Sequence, residues 1–381
     1  MRKDFDPMSY LPGMEEINSD ILPQVTALLR KFAPERYTGS DVRAALSASS
    51  RGEHDFAALL SPAAEPFIEE MANAARIETR RWFGNSVSLY TPLYIANHCE
   101  NHCSYCGFSC HHTIKREKLS LGQIRREAES IAATGLEEVL VLTGECRSAS
   151  SVEYIGEAIS LLKDYFGVIG IEIYPLNVEE YRHLQQCGAD YVSIYQETYD
   201  LALYEQLHLS GPKRSYPYRF YSHERALQGG MRGISFGALL GLGDFRRDCF
   251  AAGLHAWFTQ KKYPSGEIAF SFPRIRPVQG IDQKSGVSER NLLQAMLAFR
   301  LFLPFAGITV STRERPGFRD AAVNLAATKM SAGVSVGVGG HSEKQKGDPQ
   351  FMIADERSVA EIRQALTNNG LQPVFLDYIR L

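Results

Sequence analysis

The chain has 381 residues, a formal net charge of −3 and a mean hydropathy of −0.21. That length buries a full core in one large domain or two ordinary ones. The balanced charge excludes a global basic field for nucleic acid, no apolar run approaches the ~20 residues of a membrane helix, and the start, Met1-Arg2-Lys3, lacks the apolar region of a secretion signal. A cytoplasmic protein with neither a nucleic-acid nor a membrane partner is therefore expected. Seven cysteines, an odd number in a chain this long, also argue against a disulfide framework.

Residues 1–84 read as a polar helical extension with breaks at Pro34, Gly39 and Pro62. Ser61-Pro62 is a helix start. Phe67, Ile68, Met71, Ala75 and Ile77 make an apolar stripe running to Trp82. The region carries no recognisable chemistry.

From Val87 the pattern changes to short β-rich runs alternating with amphipathic stretches. Strands are predicted at 87–95, 138–142, 168–173, 191–195, 234–239, 268–272, 308–312 and 334–338. Leu121, Ile124, Ala128 and Ile131 fall on one helical face, with Ser120 as cap and Gly135 as stop. Ile155, Ile159, Leu162 and Phe166 form a second such face. Asn177 and Glu180 make a capping pair, and a helix over 287–302 buries Leu292, Ala295, Met296 and Phe299. Seven or eight strand–helix units in a row argue for a parallel α/β sheet closed into a barrel over 85–340, with 341–381 packing on it. A doubly wound open sheet is the alternative, but the Gly-rich turn after its first strand is missing.

Within this pattern the first strand runs into Cys99-Glu100-Asn101-His102-Cys103-Ser104-Tyr105-Cys106. The spacing is C-x3-C-x2-C with an aromatic before the last cysteine. Three thiolates from one loop leave one iron of a [4Fe–4S] cluster free to bind a small molecule. Structural zinc, with a fourth ligand from His98, His102, Cys110, His111 or His112, is the competing reading. The run Lys115-Arg116-Glu117-Lys118 reads as a solvated loop, and Cys110, Cys146, Cys187 and Cys249 as small hydrophobes. Polar residues gather at the predicted strand ends: Thr143-Gly144-Glu145, Glu172, Gln196-Glu197-Thr198, Arg274 and Arg276, and Ser311-Thr312-Arg313-Glu314. Barrel chemistry sits at that end.

The cysteine motif and Thr143-Gly144-Glu145 resemble the radical S-adenosylmethionine (SAM) superfamily. Pro92-Leu93-Tyr94, Tyr195-Gln196-Glu197-Thr198-Tyr199, Gly211-Pro212-Lys213, Gly237-Ala238-Leu239, Ser271-Phe272-Pro273-Arg274-Ile275-Arg276-Pro277 and Ser311-Thr312-Arg313-Glu314 are similar to its aromatic amino acid lyases, and within these to the tyrosine lyases of thiamine biosynthesis. The resemblance implies a TIM-like (β/α) barrel. It implies one [4Fe–4S] cluster on Cys99, Cys103 and Cys106, and SAM as cosubstrate. It further implies cleavage of the Cα–Cβ bond of L-tyrosine to dehydroglycine and p-cresol. Thiazole synthase and a flavodoxin- or ferredoxin-type electron donor are the implied partners. Tyr105, Thr143, Gly144, Glu145, Glu172, Glu197 and Arg219 are expected around SAM, with Glu172 either at the ribose or a plain barrel-lining carboxylate. Arg313 with Ser311 is expected at the tyrosine carboxylate, with Arg276 as runner-up; a buried ion pair with Glu314 or another barrel carboxylate is the plain alternative for either arginine. Tyr94 is expected at the substrate amine. The related lyase that matures iron-only hydrogenase has a cysteine-bearing C-terminal extension, whereas here the last cysteine is Cys249. A tryptophan lyase and a passive iron–sulfur or zinc protein are the rival readings.

Overall fold

The computed structural model describes residues 5–277, 285–343 and 346–376; parts of the expected C-terminal segment lie outside them. Eight parallel strands form the barrel: β1 (Ser86–Ala96), β2 (Glu138–Thr143), β3 (Val168–Glu172), β4 (Tyr191–Ser193), β5 (Gly233–Phe236), β6 (Glu267–Ser271), β7 (Gly307–Val310) and β8 (Lys329–Ser331). Each pairs with the next, and β8 returns to β1, with Met330 opposite Leu89. A ninth strand, β9 (Gln372–Val374), joins the first residues of β1 on the side that β2 takes from Thr91 onward.

Seven strands lie where the periodicity puts them, within a few residues. The eighth does not. It is Lys329–Ser331, and 334–338 is irregular apart from a single bridge between Val338 and Tyr94. The reason is glycine: Gly333 and Gly339 both take positive φ, at +57° and +72°, so the apolar run between them cannot extend as a strand.

Alternation sorts the strand residues. Leu89, Leu93 and Ile95 of β1, and Val139 and Val141 of β2, pack outward in the core shared with the helices. Tyr90, Tyr94, Leu140 and Leu142 pack together in the lumen. On β3 the lumen residues are Gly170 and Glu172. A Cβ on Gly170 would stand 2.2 Å from the Tyr191 ring, so glycine makes room for that ring.

The helix Leu121–Ala132 opens on the expected cap Ser120, which Gln123 completes as a capping box, and Val178–Cys187 on the expected pair Asn177 and Glu180. Leu121 is exposed rather than on the buried face. Glu127 is buried instead, accepting from the His341 N–H at 2.7 Å and the Ser342 hydroxyl at 2.5 Å. In the N-terminal extension the helices Glu53–Leu60 and Ile68–Phe83 pack on the barrel helices Phe245–Lys262 and Glu289–Phe302. Phe56 stacks between Phe250 and Phe302. The stripe of helix Ile68–Phe83 is Met71, Ala75 and Thr79, whereas Ile77 and Trp82 are 61% and 53% exposed. The expected stripe drifts off the i, i+4, i+8 face at Ile77.

A C-terminal strap then crosses the barrel mouth. The Lys346 and Gln350 N–H groups donate to Val338 O and Val336 O, and the Ala354 N–H to Thr312 O at 2.8 Å. Asp355 anchors it, buried between Arg319 and Arg357. Arg319→Met is expected to destabilise the apoprotein by about 3 kcal/mol, the lower end for breaking a buried pair, since Arg357 still holds Asp355. The check is a lower urea midpoint at unchanged slope.

Candidate active site

The loop that follows β1 is held in place by its own polar contacts. Asn97, fully buried, donates to Lys115 O at 2.9 Å and accepts from the Glu117 N–H at 2.8 Å. The Arg116 guanidinium donates to Asn97 O, Phe108 O and Ser109 O at 2.6–2.8 Å, clamping both ends of the cysteine segment. Only Lys115 and Lys118 of that run are exposed, so Arg116 corrects the reading of a solvated loop. His102–Cys103 forms a short antiparallel pairing with His208–Ser210.

All three motif thiols are free; Cys103 is buried, and Cys99 and Cys106 are half-buried. Burial pushes the Cys103 thiol well above its ordinary value and Cys99 up to about 12, with Glu145 and Cys106 adding to the latter. Loading the loop with iron must therefore release protons. Among the described residues no three His, Cys, Asp or Glu side chains converge tightly enough for a single ion. A cubane needs a wider set, one thiolate on each of three irons. Three free thiols on one pinned loop fit that group, with its fourth corner open. Of the remaining cysteines, Cys249 is buried as expected, whereas Cys110 is exposed and Cys146 and Cys187 are half-buried.

Beside the loop lies a network of four charges. The Arg219 guanidinium donates to Glu145 Oε1 at 2.9 Å, to Glu197 Oε1 at 3.4 Å and to Tyr195 O at 2.6 Å. Lys213 Nζ reaches Glu197 Oε1 at 2.7 Å and Glu145 Oε1 at 3.6 Å. Asn101 donates to Glu145 Oε2 at 2.8 Å, bringing in the cysteine loop. Burial works against both carboxylates, but Lys213 and Arg219 outweigh it and hold them below the usual range. Glu197 takes φ +71°, a left-handed conformation that a non-glycine residue adopts only where its surroundings enforce it. Here the Leu239 N–H donates to its carbonyl at 2.8 Å.

Gly144 is needed because a Cβ would stand 2.2 Å from His98 O. Next to it the buried Thr143 Oγ1 has no partner among the described residues. A strand end that only glycine fits, beside four buried charges, suits a polar cosubstrate such as SAM. Tyr105 donates to His208 Nε2 at 2.8 Å. His208 Nδ1 faces Tyr204 O at 2.8 Å, so the ring proton sits on Nδ1. A cavity of about 330 Å³ opens on this network, and Leu11–Met14 form one wall of it. The extension read as chemically silent thus borders the site, tied down by Asn177 Nδ2 donating to Gly13 O at 2.9 Å.

A second, smaller cavity of about 60 Å³ lies in the lumen, lined by Tyr90, Tyr94, Glu172, Tyr195, Ser311, Arg313, Gln350 and Phe351. Tyr94 donates to Gln350 Oε1 at 2.8 Å. Arg313 lies 3.5 Å over the Phe351 ring and makes one long bond, 3.5 Å, to Arg274 O. It has no carboxylate within ion-pair distance among the described residues. Glu314 is taken by Arg274, at 2.9 Å, and not by Arg313 or Arg276. Arg276 is not part of this cavity's lining, and its buried Nε has no partner among the described residues. Glu172 stands with Arg313 and Tyr94 rather than at the charge network, and burial raises its carboxyl to about 7 against the opposing pull of Arg313.

The sequence reading missed Asn101, Lys213, His208, Gln350 and Phe351. Lys213 lies in a quoted motif without a role. Gln350 and Phe351 arrive on a distant strap that has no local signature.

Residues 93–250 match the radical SAM superfamily and 271–372 the biotin and thiamin synthesis associated domain. The chain is 40% identical over 343 residues to 2-iminoacetate synthase of Escherichia coli, spanning 90% of this chain and 91% of that one. It is 26% identical to 3-methylornithine synthase of Methanosarcina barkeri over 66% of this chain and 70% of that protein. The crystal structure of HydG, a maturase of the [FeFe]-hydrogenase, superposes with a TM-score of 0.87 at 29% identity, over 94% of this chain and 81% of that one. With likeness at this level over nine-tenths of its length, the chain belongs to the 2-iminoacetate synthase family of radical SAM enzymes, whose cofactors are a [4Fe–4S] cluster and SAM.

Proposed function

We propose that this chain cleaves the Cα–Cβ bond of L-tyrosine to 2-iminoacetate and p-cresol, feeding thiazole formation in thiamine biosynthesis. The observation that carries the reading is Arg313: a cation without a carboxylate partner among the described residues, set in a lumen cavity beside the three-cysteine loop. Within that reading, Cys99, Cys103 and Cys106 hold the cluster. Glu145, Glu197, Arg219 and Lys213 hold the charged and hydroxyl groups of SAM, with Tyr105, Thr143 and Gly144 around them. When bound, these cofactors supply a hydrogen-abstracting 5′-deoxyadenosyl radical. Arg313 and Ser311 fix the tyrosine carboxylate, and Tyr94, braced by Gln350, faces the amine. The protein's part is to position the substrate and exclude water.

The division into a helical extension (1–84), barrel (85–340) and C-terminal segment (341–381) belongs to the same proposal. So do thiazole synthase as acceptor of the product, a flavodoxin- or ferredoxin-type electron donor, and a cytoplasmic site. Among the described residues, no helix is long and apolar enough to cross a membrane.

The test is anaerobic reconstitution, then SAM and dithionite with each aromatic amino acid. Tyrosine-dependent p-cresol is expected. Indole products from tryptophan would overturn the substrate assignment, and absence of SAM cleavage would overturn the enzyme. About four irons per chain are expected, the content of one [4Fe–4S] centre, since no cysteine follows Cys249 to hold a second. Cyanide or carbon monoxide as a major product would contradict this.

A further inference from the structure

Two opposite charges face the lumen cavity without neutralising each other. Arg313 enters from the turn after β7, and Glu172 from the end of β3. Neither makes an ion pair among the described residues. Several neighbouring charges are paired instead: Arg274 with Glu314, Arg219 with Glu145 and Glu197, and Lys213 with Glu197. An unneutralised cation and anion in one small cavity form a template for a zwitterion. An α-amino acid is such a ligand, its carboxylate suited to the arginine and its ammonium to the glutamate.

The residues around Glu172 agree with this placement. It is the leading electrostatic neighbour of Tyr94, ahead of Arg313, and Tyr94 is the residue facing the amine in the proposed function. Resting on that function, we propose that Glu172 is a catalytic residue that takes the proton from the tyrosine ammonium, leaving a neutral amine for hydrogen abstraction. In this step an N–H bond breaks heterolytically and an O–H bond forms. The nitrogen keeps the electron pair, Glu172 becomes a neutral carboxylic acid, and no electron changes hands. The acid form discharges to solvent after product leaves.

The free protein has the acceptor poised for this. Burial lifts the Glu172 carboxyl to about 7, opposed by Arg313, raised further by Glu197, and opposed again by Arg219 and a hydrogen bond from Ser193. Tyr90, Tyr94 and Tyr195 are the other titratable groups facing it. Burial raises all three above the ordinary phenol value, so they stay neutral across the working range. The sign follows directly. Below about 7 Glu172 is protonated and cannot accept. Above it the carboxylate is available, so kcat/KM for tyrosine should fall as pH drops through about 7.

The experiment compares wild-type holoenzyme with Glu172→Gln and Glu172→Asp. Tyrosine affinity is measured by calorimetry, and p-cresol and 5′-deoxyadenosine as functions of pH. Glu172→Gln keeps the shape but cannot take a proton. Tyrosine affinity should change less than about tenfold, while the p-cresol rate at pH 7 falls about 10²–10⁴-fold, the range for losing a general base. The wild-type acid limb should vanish, and the residual rate should climb with pH as solvent takes over. Glu172→Asp should restore a limb and part of the rate. A glutamine variant with wild-type rate and pH profile overturns the proposal. So does one whose main defect is lost discrimination between tyrosine and phenylalanine, which would place Glu172 at the phenol. Wild-type p-cresol formation, read in the same series, separates failure of this inference from failure of the proposed function.

Discussion

Cys99→Ala, Cys103→Ala and Cys106→Ala, each alone, are expected to reduce iron uptake and SAM cleavage to background, whereas Cys110→Ala retains both. In the proposed function each motif thiolate would be the sole protein ligand to one iron, so two remaining cysteines would not hold a cubane. Cys110 differs in its contacts. Its backbone N–H donates to Asn101 O at 2.9 Å and its side chain is exposed, so truncation leaves the loop as it was. The apoproteins should keep wild-type far-ultraviolet circular dichroism, because the loop is pinned by Arg116 and Asn97 rather than by the cluster. That control separates a lost ligand from a lost fold. Full iron content in any one motif variant would remove that cysteine from the ligand set.

The barrel was legible because parallel strands buried on both faces read as short apolar runs, and because seven strand–helix alternations leave few topologies. What escaped was set by backbone geometry and by contacts distant in sequence. Val334–Val338 has strand composition, but Gly333 and Gly339 turn its ends, so three residues with little apolar signal, Lys329–Ser331, close the barrel instead. At the site, residues beyond strand ends were legible: Glu145, Glu197 and Arg313 follow β2, β4 and β7. Their grouping was not. Glu172 reads in sequence either as a ribose partner or as a plain barrel-lining carboxylate, and only the fold shows that it lines the cavity shared with Arg313. Asn101, Lys213 and Gln350 are ordinary polar residues in sequence and gain meaning only from the 2.7–2.8 Å contacts that folding gives them.

Arg313→Lys should raise the KM for tyrosine and uncouple the reaction while leaving the protein folded. The lysine keeps a positive charge but loses the planar fork that meets a carboxylate with two parallel bonds, and it loses the flat face that stacks on Phe351. Breaking a buried, hydrogen-bonded charge contact costs ~2–5 kcal/mol, which at 1.4 kcal/mol per decade corresponds to roughly 30-fold or more in KM. Stability should move little, because among the described residues the Arg313 side chain makes one hydrogen bond, at 3.5 Å, besides its stack on Phe351. A misplaced substrate also waits longer beside the radical source, so 5′-deoxyadenosine should form in excess over p-cresol. Arg313→Gln adds a second signature: without the charge that opposes burial, the Glu172 carboxyl rises above about 7, and the acid limb of kcat/KM moves up with it. Both products are measured together, with and without tyrosine, in wild type and the two variants. Unchanged yields and unchanged tyrosine dependence would make Arg313 a stacking residue of the strap, and Arg276, whose buried Nε has no partner among the described residues, would take its place at the carboxylate.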